Sequence, residues 1–300
     1  MSRLLIFLLI LVILPTFAAG REIVPADTYV QAEQIEKEVA LLLRHYKISE
    51  RNLIAPVNAD IKPRHVWQQS YIIMVKLGIF RRKHGLVGFA PVTLEPHLKL
   101  SPAYSWGQAQ RVLTEIRAIK GYLDIPGEVS PPTPVQEKQP VDVFNKLNQI
   151  SHDMDLLNGE PISSSYVYSE VRRLDEDVNA ILRKTRTPEI AIPPRRDPTH
   201  TPRDALVAAL TLMKEIQRLQ RQLGQESVDF NFFRGDEKVL PTDVFSVVNL
   251  CVAELQIVKF LLGLQHAVTH PAELHEGKTP VDVAQLLGYV TNKLRLVKVQ

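Results

Sequence analysis

The sequence predicts an all-α protein of eight main helices, arranged as two tandem four-helix units joined by long proline-rich linkers. Three observations carry that expectation. A proline-led motif recurs at nearly constant spacing, apolar residues follow each proline at helical intervals, and the first half of the chain aligns with the second at one offset.

The motif is a proline, often an Asp two residues on, and often an aromatic or large apolar residue four residues on. It begins at Pro25, Pro63, Pro102, Pro140, Pro202, Pro241 and Pro280, with gaps of 38, 39, 38, 62, 39 and 39 residues. The gap of 62 holds a degenerate unit starting near Ser164, which completes the eight. A fixed period of this size is the signature of a repeated supersecondary unit.

Each unit opens a helix. In the first, Ala32, Ile35, Val39, Leu42 and Tyr46 advance by alternating steps of 3 and 4, which puts one apolar stripe on a helix. The second ends in Arg81, Arg82, Lys83 and His84, where positive charge suits the negative end of the helix dipole. The third carries Glu115 and Lys120, and the fourth starts in Lys138-Gln-Pro-Val-Asp-Val143. In the fifth the stripe is Val167, Val171, Leu174, Val178 and Ile181; in the sixth it is Leu206, Ala209, Met213, Ile216, Leu219 and Leu223.

The seventh, Pro241 to Leu264, is apolar nearly all round, interrupted only by Asn249, Glu254, Gln256 and Lys259. It is expected to be the most central helix. A membrane span is disfavoured there, because Glu254 and Lys259 would lie near mid-bilayer at a cost of several kcal/mol. The eighth starts in Lys278-Thr-Pro-Val-Asp-Val283, identical to the start of the fourth at five of six positions. That match sits at an offset of 140. At 139, Glu115 and Lys120 fall on Glu254 and Lys259. The chain thus divides into a leader (1–20), a first unit (21–160) and its internal duplicate (161–300).

The repeated acids read as caps. In Thr201-Pro202-Arg-Asp204 and Thr279-Pro280-Val-Asp282, Thr is the N-cap, Pro suits the first helical position, and the acid at the third accepts orphan backbone N–H groups. Asp27, Asp142 and Asp243 hold the same place. The linkers are proline-rich, as in Pro126 to Pro134 and Pro188 to Pro198. About fifteen extended residues span roughly 50 Å, enough to return along a whole helix, so parallel neighbours are allowed. The short connection Asn158 to Ser163 is expected to turn the chain back as an antiparallel hairpin.

Residues 1–20 read as a secretory signal peptide. Arg3 supplies the positive charge, Leu4 to Leu14 the apolar stretch, and Ala18, Ala19 and Gly20 the cleavage site, with the cut near Gly20. The expected location is periplasmic or secreted. A single Cys, Cys251, excludes a disulfide framework and reads as a small buried hydrophobe. With 36 Lys+Arg against 33 Asp+Glu, a net charge of +3 is too small for a nucleic-acid binder.

Two groups of residues are candidate sites. Glu115, Lys120, Glu254 and Lys259 form a matched set on the third helix of each unit. Five residues apart, each pair is badly spaced for a mutual bridge, and the charges are expected to reach neighbouring helices or linker carbonyls, or else to line a pocket between helices. Arg195 and Arg196, in the central basic linker, join them as candidate ligand or partner contacts. His266, His270, His275 and Glu276 are the candidate metal ligands, since His266 and His270 would share a face of a helix. Pro271 argues that this stretch is a linker instead, and the matching linker (Asp124 to Glu137) has no His.

No nucleophile elbow, paired-His zinc helix or Cys-x-x-Cys pair occurs. The expectation is a non-enzymatic helical-repeat protein of the cell envelope, without a cofactor, binding an envelope protein or a small molecule at the seam between its halves. A metal-dependent protein using the His cluster is the alternative. A lipid surface held by the basic clusters ranks below both.

Overall fold

The structure, a computed structural model, describes residues 21–49, 51, 53–88, 92–230 and 238–299. The leader read over residues 1–20 lies outside them. Among the described residues there are eight helices: α1 Pro25–His45, α2 Pro63–Lys83, α3 Pro102–Tyr122, α4 Pro140–Asn158, α5 Ser164–Lys184, α6 Pro202–Gln222, α7 Pro241–Leu261 and α8 Pro280–Leu296. The chain is all-α; the one β-type pairing described is an isolated bridge between Leu94 and Thr269. α7 stops short of Leu264 because Gly263 turns left-handed at φ 73° and the Leu264 N–H closes back on the Lys259 carbonyl at 2.9 Å.

Proline stands at the first helical position in seven of the eight helices. At the third position, Asp27, Asp142, Asp204, Asp243 and Asp282 accept the N–H of their N-cap residue at 2.7 to 2.9 Å. Thr201 and Thr279 also donate their hydroxyls to these carboxylates, at 2.7 Å each. In α2 the third residue is His65, whose Nδ1 does the same work for the Lys62 N–H at 3.0 Å.

All four helices of each unit run the same way. Pro25, Pro63, Pro102 and Pro140 converge around one small apolar space, and Ser164, Pro202, Pro241 and Pro280 around another, each about 10 Å³. Such a space holds at most one water. Each linker therefore returns along the helix it follows, over about 31 Å for 21 residues. Linker side chains Ile61, Leu94, Ile125, Val228 and Phe230 are buried on the way. Amides on α4 and α8 receive the linker backbone: Asn145 bonds both the N–H and the C=O of Val57, and Gln285 and Asn292 reach the carbonyls of Pro194 and Ile192.

Aligned helices add their dipoles, which places roughly +2 elementary charges at each convergence of N-termini. The capping acids face that end, and the opposite end gathers Arg44, Arg81, Lys120, Arg183, Arg221 and Lys259. The basic run that ends α2 thus answers the polarity of a parallel bundle.

Within each unit the helices close a ring in the order α1–α3–α2–α4 and, identically, α5–α7–α6–α8. Between the units, α2 packs on α7. His65 faces Glu254 and Gln68 faces Asn249, so these two helices are antiparallel. The packed antiparallel pair at the seam is α2 with α7, and not the expected hairpin of α4 with α5.

The seam joins unlike elements. α2 corresponds to α6 and α3 to α7, yet α2 meets α7. Burial records this: α7 buries 17 residues where α3 buries 8, and α2 buries 15 where α6 buries 8. α7 is central, as its composition predicts, and is buried along nearly its whole length from Thr242 to Lys259. α2 is equally central, which its composition conceals.

Candidate functional site

The two copies of the Glu/Lys set lie at equivalent places and bond to equivalent partners. Lys120 Nζ meets Glu38 Oε2 at 2.6 Å, and Lys259 Nζ meets Asp177 Oδ1 at 2.6 Å. Both are α3–α1 pairs in the repeat, since Glu38 and Asp177 are also 139 residues apart. Linker atoms complete each ammonium, the Gly127 carbonyl at 2.8 Å in one unit and Thr269 Oγ1 at 2.8 Å in the other. Burial pulls the Lys259 ammonium below the usual lysine range, against the attraction of Asp177.

The glutamates match as well. Glu115 takes Arg81 Nη1 at 2.9 Å, and Glu254 takes Gln220 Nε2 at 2.7 Å, from the equivalent position on the preceding helix. Gln220 carries no charge, and the seam supplies what is missing. Arg64 Nε lies 2.6 Å and His65 Nε2 2.5 Å from Glu254 Oε1. Burial raises the Glu254 carboxyl, but the His65 hydrogen bond and the Arg64 charge outweigh it and hold the group below the usual carboxylate range. Burial pushes His65 down, and the ring is neutral because its Nδ1 accepts a hydrogen bond and so carries no proton. Because Nδ1 accepts from Lys62, Nε2 carries the proton and donates to Glu254.

These four residues therefore hold helices together and do not meet in one site. Arg196 Nη2 pairs with Asp282 Oδ1 at 2.9 Å, near the N-terminal end of α8, and Arg195 is exposed beside it. Lys259 lies at the opposite end of that unit.

The candidate metal group does not assemble. His266 and His270 fall in the linker after α7, both exposed, with no helix to bring them onto one face. Thr269 between them pairs its backbone with Leu94, which fixes the strand-like course that Pro271 continues. His275 sets its ring edge-on to Tyr168 at 5.7 Å and donates its backbone N–H to Ser169 Oγ, while Glu276 is exposed. Among the described residues no group of three or more His, Cys, Asp or Glu is placed to hold a metal ion. Cys251 is fully buried and its thiol is pushed up by burial.

What the structure does form at the seam is a cleft of about 280 Å³ between α2, α5 and the linker before α8. Its apolar lining is Met74, Val75, Val92, Pro271, Ala272 and Leu274. Its polar lining is Tyr71, Arg82, Tyr166, Ser169 and Glu170. Tyr71 Oη donates to Glu170 Oε1 at 2.9 Å, and Arg173 stacks its guanidinium 5.0 Å from the Tyr71 ring. Trp67 stacks in turn on Tyr71 at 6.0 Å. Neither Glu115, Lys120, Glu254 nor Lys259 lines it.

Repeat reasoning points to the seam but not to these residues. Tyr71 and Glu170 are 99 residues apart, off the duplication offset, so no internal match draws them together. The chain matches no family model, no curated protein and no solved structure.

Proposed function

We propose that this chain is an exported, non-enzymatic binding module of the cell envelope, and that its ligand site is the seam cleft. The observation that carries the reading is the cleft itself: a mostly apolar concavity with a few converging polar groups, at the junction of two packed units. Ligand sites favour such junctions. The leader over residues 1–20 supports the compartment. The groups that line the cleft are tied into structural hydrogen bonds, which suits holding a ligand better than turning one over.

Native mass spectrometry of the mature protein, taken from its own compartment, tests this. A reproducible adduct on the wild type that disappears in Ala272→Trp, where the indole fills the cleft, is the expected result. A bare mass for both proteins, together with an unaltered cellular phenotype for the variant, would remove the reading.

A further inference from the structure

The binding reading leaves the ligand unnamed, and the charges around the cleft narrow it. Glu170 is answered from within: Tyr71 Oη reaches it at 2.9 Å and Arg173 Nη1 at 3.2 Å. Burial and the Glu170 charge push the Tyr71 phenol up beyond any working pH, so it serves only as a neutral donor. Arg173 is itself almost wholly buried, and its ionisation is favoured by Glu170. Glu170 and Arg173 together are neutral.

Arg82 is different. Its partners among the described residues are the hydroxyl of Tyr166 and the face of that ring, 5.8 Å away, and no carboxylate is paired with it. It lies on the cleft wall and also borders a second cavity of about 240 Å³. That cavity is polar, with Lys83, Asp155, Asn158 and Glu160, but its charges are matched, Lys83 to Glu160 and Asp155 to Lys76. Among the described charged residues that line the cleft, Arg82 is thus the one with no carboxylate paired to it, at the edge of an apolar chamber.

We propose that the seam cleft binds a small apolar monoanion, an aliphatic or aryl carboxylate, with its carboxylate on Arg82 and its body against Met74, Val75, Val92 and Leu274. A guanidinium keeps several N–H donors after bonding one phenol, and a carboxylate fits its fork with charge-assisted bonds. A neutral molecule of the same shape leaves that cation unanswered, and an ammonium is repelled by it.

Calorimetric titration of the mature protein with octanoate, octanol and octylamine at equal ionic strength tests the class. Octanoate should bind at least tenfold tighter than octanol, and octylamine should not bind. Arg82→Gln should weaken octanoate at least tenfold and leave octanol unchanged, while Arg82→Lys keeps part of the preference. Ala272→Trp should abolish binding of both. Thermal melts of the Arg82 variants, at an exposed position, check that the fold is kept.

Equal binding of octanoate and octanol, or indifference of octanoate to Arg82→Gln, overturns the monoanion. If that equal binding is still lost in Ala272→Trp, the cleft remains a binding site and only the ligand class falls. If none of the three probes binds and no adduct is carried from the cell, both readings fall together.

Discussion

His65 serves two masters: its Nδ1 caps α2 by accepting the Lys62 N–H, and its Nε2–H reaches Glu254 across the seam at 2.5 Å. Its counterpart in the second unit is Asp204, a cap and nothing more. An imidazole has two ring nitrogens on opposite edges, so it alone among the caps here can accept at one side and donate at the other. That is why the repeat departs from Asp at the one cap buried against a carboxylate.

His65→Asp, the residue that the repeat would supply, is therefore expected to damage the protein. It keeps the cap but sets two carboxylates together in a buried place. A loss of about 3–5 kcal/mol is expected in denaturant unfolding, the scale for an uncompensated buried charge. Asp204→Ala, which removes only an exposed cap, should cost about 1 kcal/mol.

Glu254 makes stability depend on acid. Its folded pKa lies below the ordinary value of 4.5, so its contribution is fully present above pH 4.5 and is lost as pH falls through the lower folded value. The loss is on the order of 1–3 kcal/mol, the scale for a hydrogen bond to a charged group. Unfolding free energy measured from pH 6 to 2 should fall across that window, and Glu254→Gln should flatten the slope while starting from a lower plateau.

The eight helices were legible because their signals are local: a proline at the first turn, an acid at the third position and an apolar stripe behind them. The seam was not. Gln68, Gln69 and Lys76 are of residue types that are mostly exposed, yet each is buried against a partner far away in sequence, Gln68 on Asn249, Gln69 on Asn148 and Lys76 on Asp155. Composition cannot show that a polar side chain has found its mate. The His266 and His270 spacing forms no site because residues four apart share a face only if the backbone is helical, and here it is a linker, as Pro271 argued. For Glu115, Lys120, Glu254 and Lys259, the duplication located the charges, and their ring order named the partners only in three dimensions.

The duplicated lysines should differ in cost. Glu38 keeps Arg117 Nε at 3.1 Å after Lys120→Met, whereas Asp177 keeps only neutral donors, Thr269 and Gln256, after Lys259→Met. Lys259→Met should lose about 3–5 kcal/mol and Lys120→Met distinctly less. Asp177→Asn added to Lys259→Met should recover part of the loss, which a double-mutant cycle reads directly.

Helical glycines give a test of opposite signs. At Gly107 an added Cβ meets nothing within 4 Å, so Gly107→Ala should stabilise by about 0.5–1 kcal/mol. At Gly288 the same atom would stand 2.7 Å from Pro194 Cγ, in a linker held to α8 through Gln285. A change of ring pucker moves Cγ only slightly and the backbone is held, so Gly288→Ala should destabilise by about 1–3 kcal/mol. Paired thermal melts decide it.

The ring order α1–α3–α2–α4 has a consequence for how the chain acquires its structure. α1 and α2 stand on one diagonal, so the first two helices to be made share no closed interface, and each gains neighbours only from helices that follow. Every interhelix contact spans at least one full-length return linker, so loop closure precedes reward. Each unit should accordingly fold late and all at once, and a chain truncated before α4 should have no stable half-bundle to rest in.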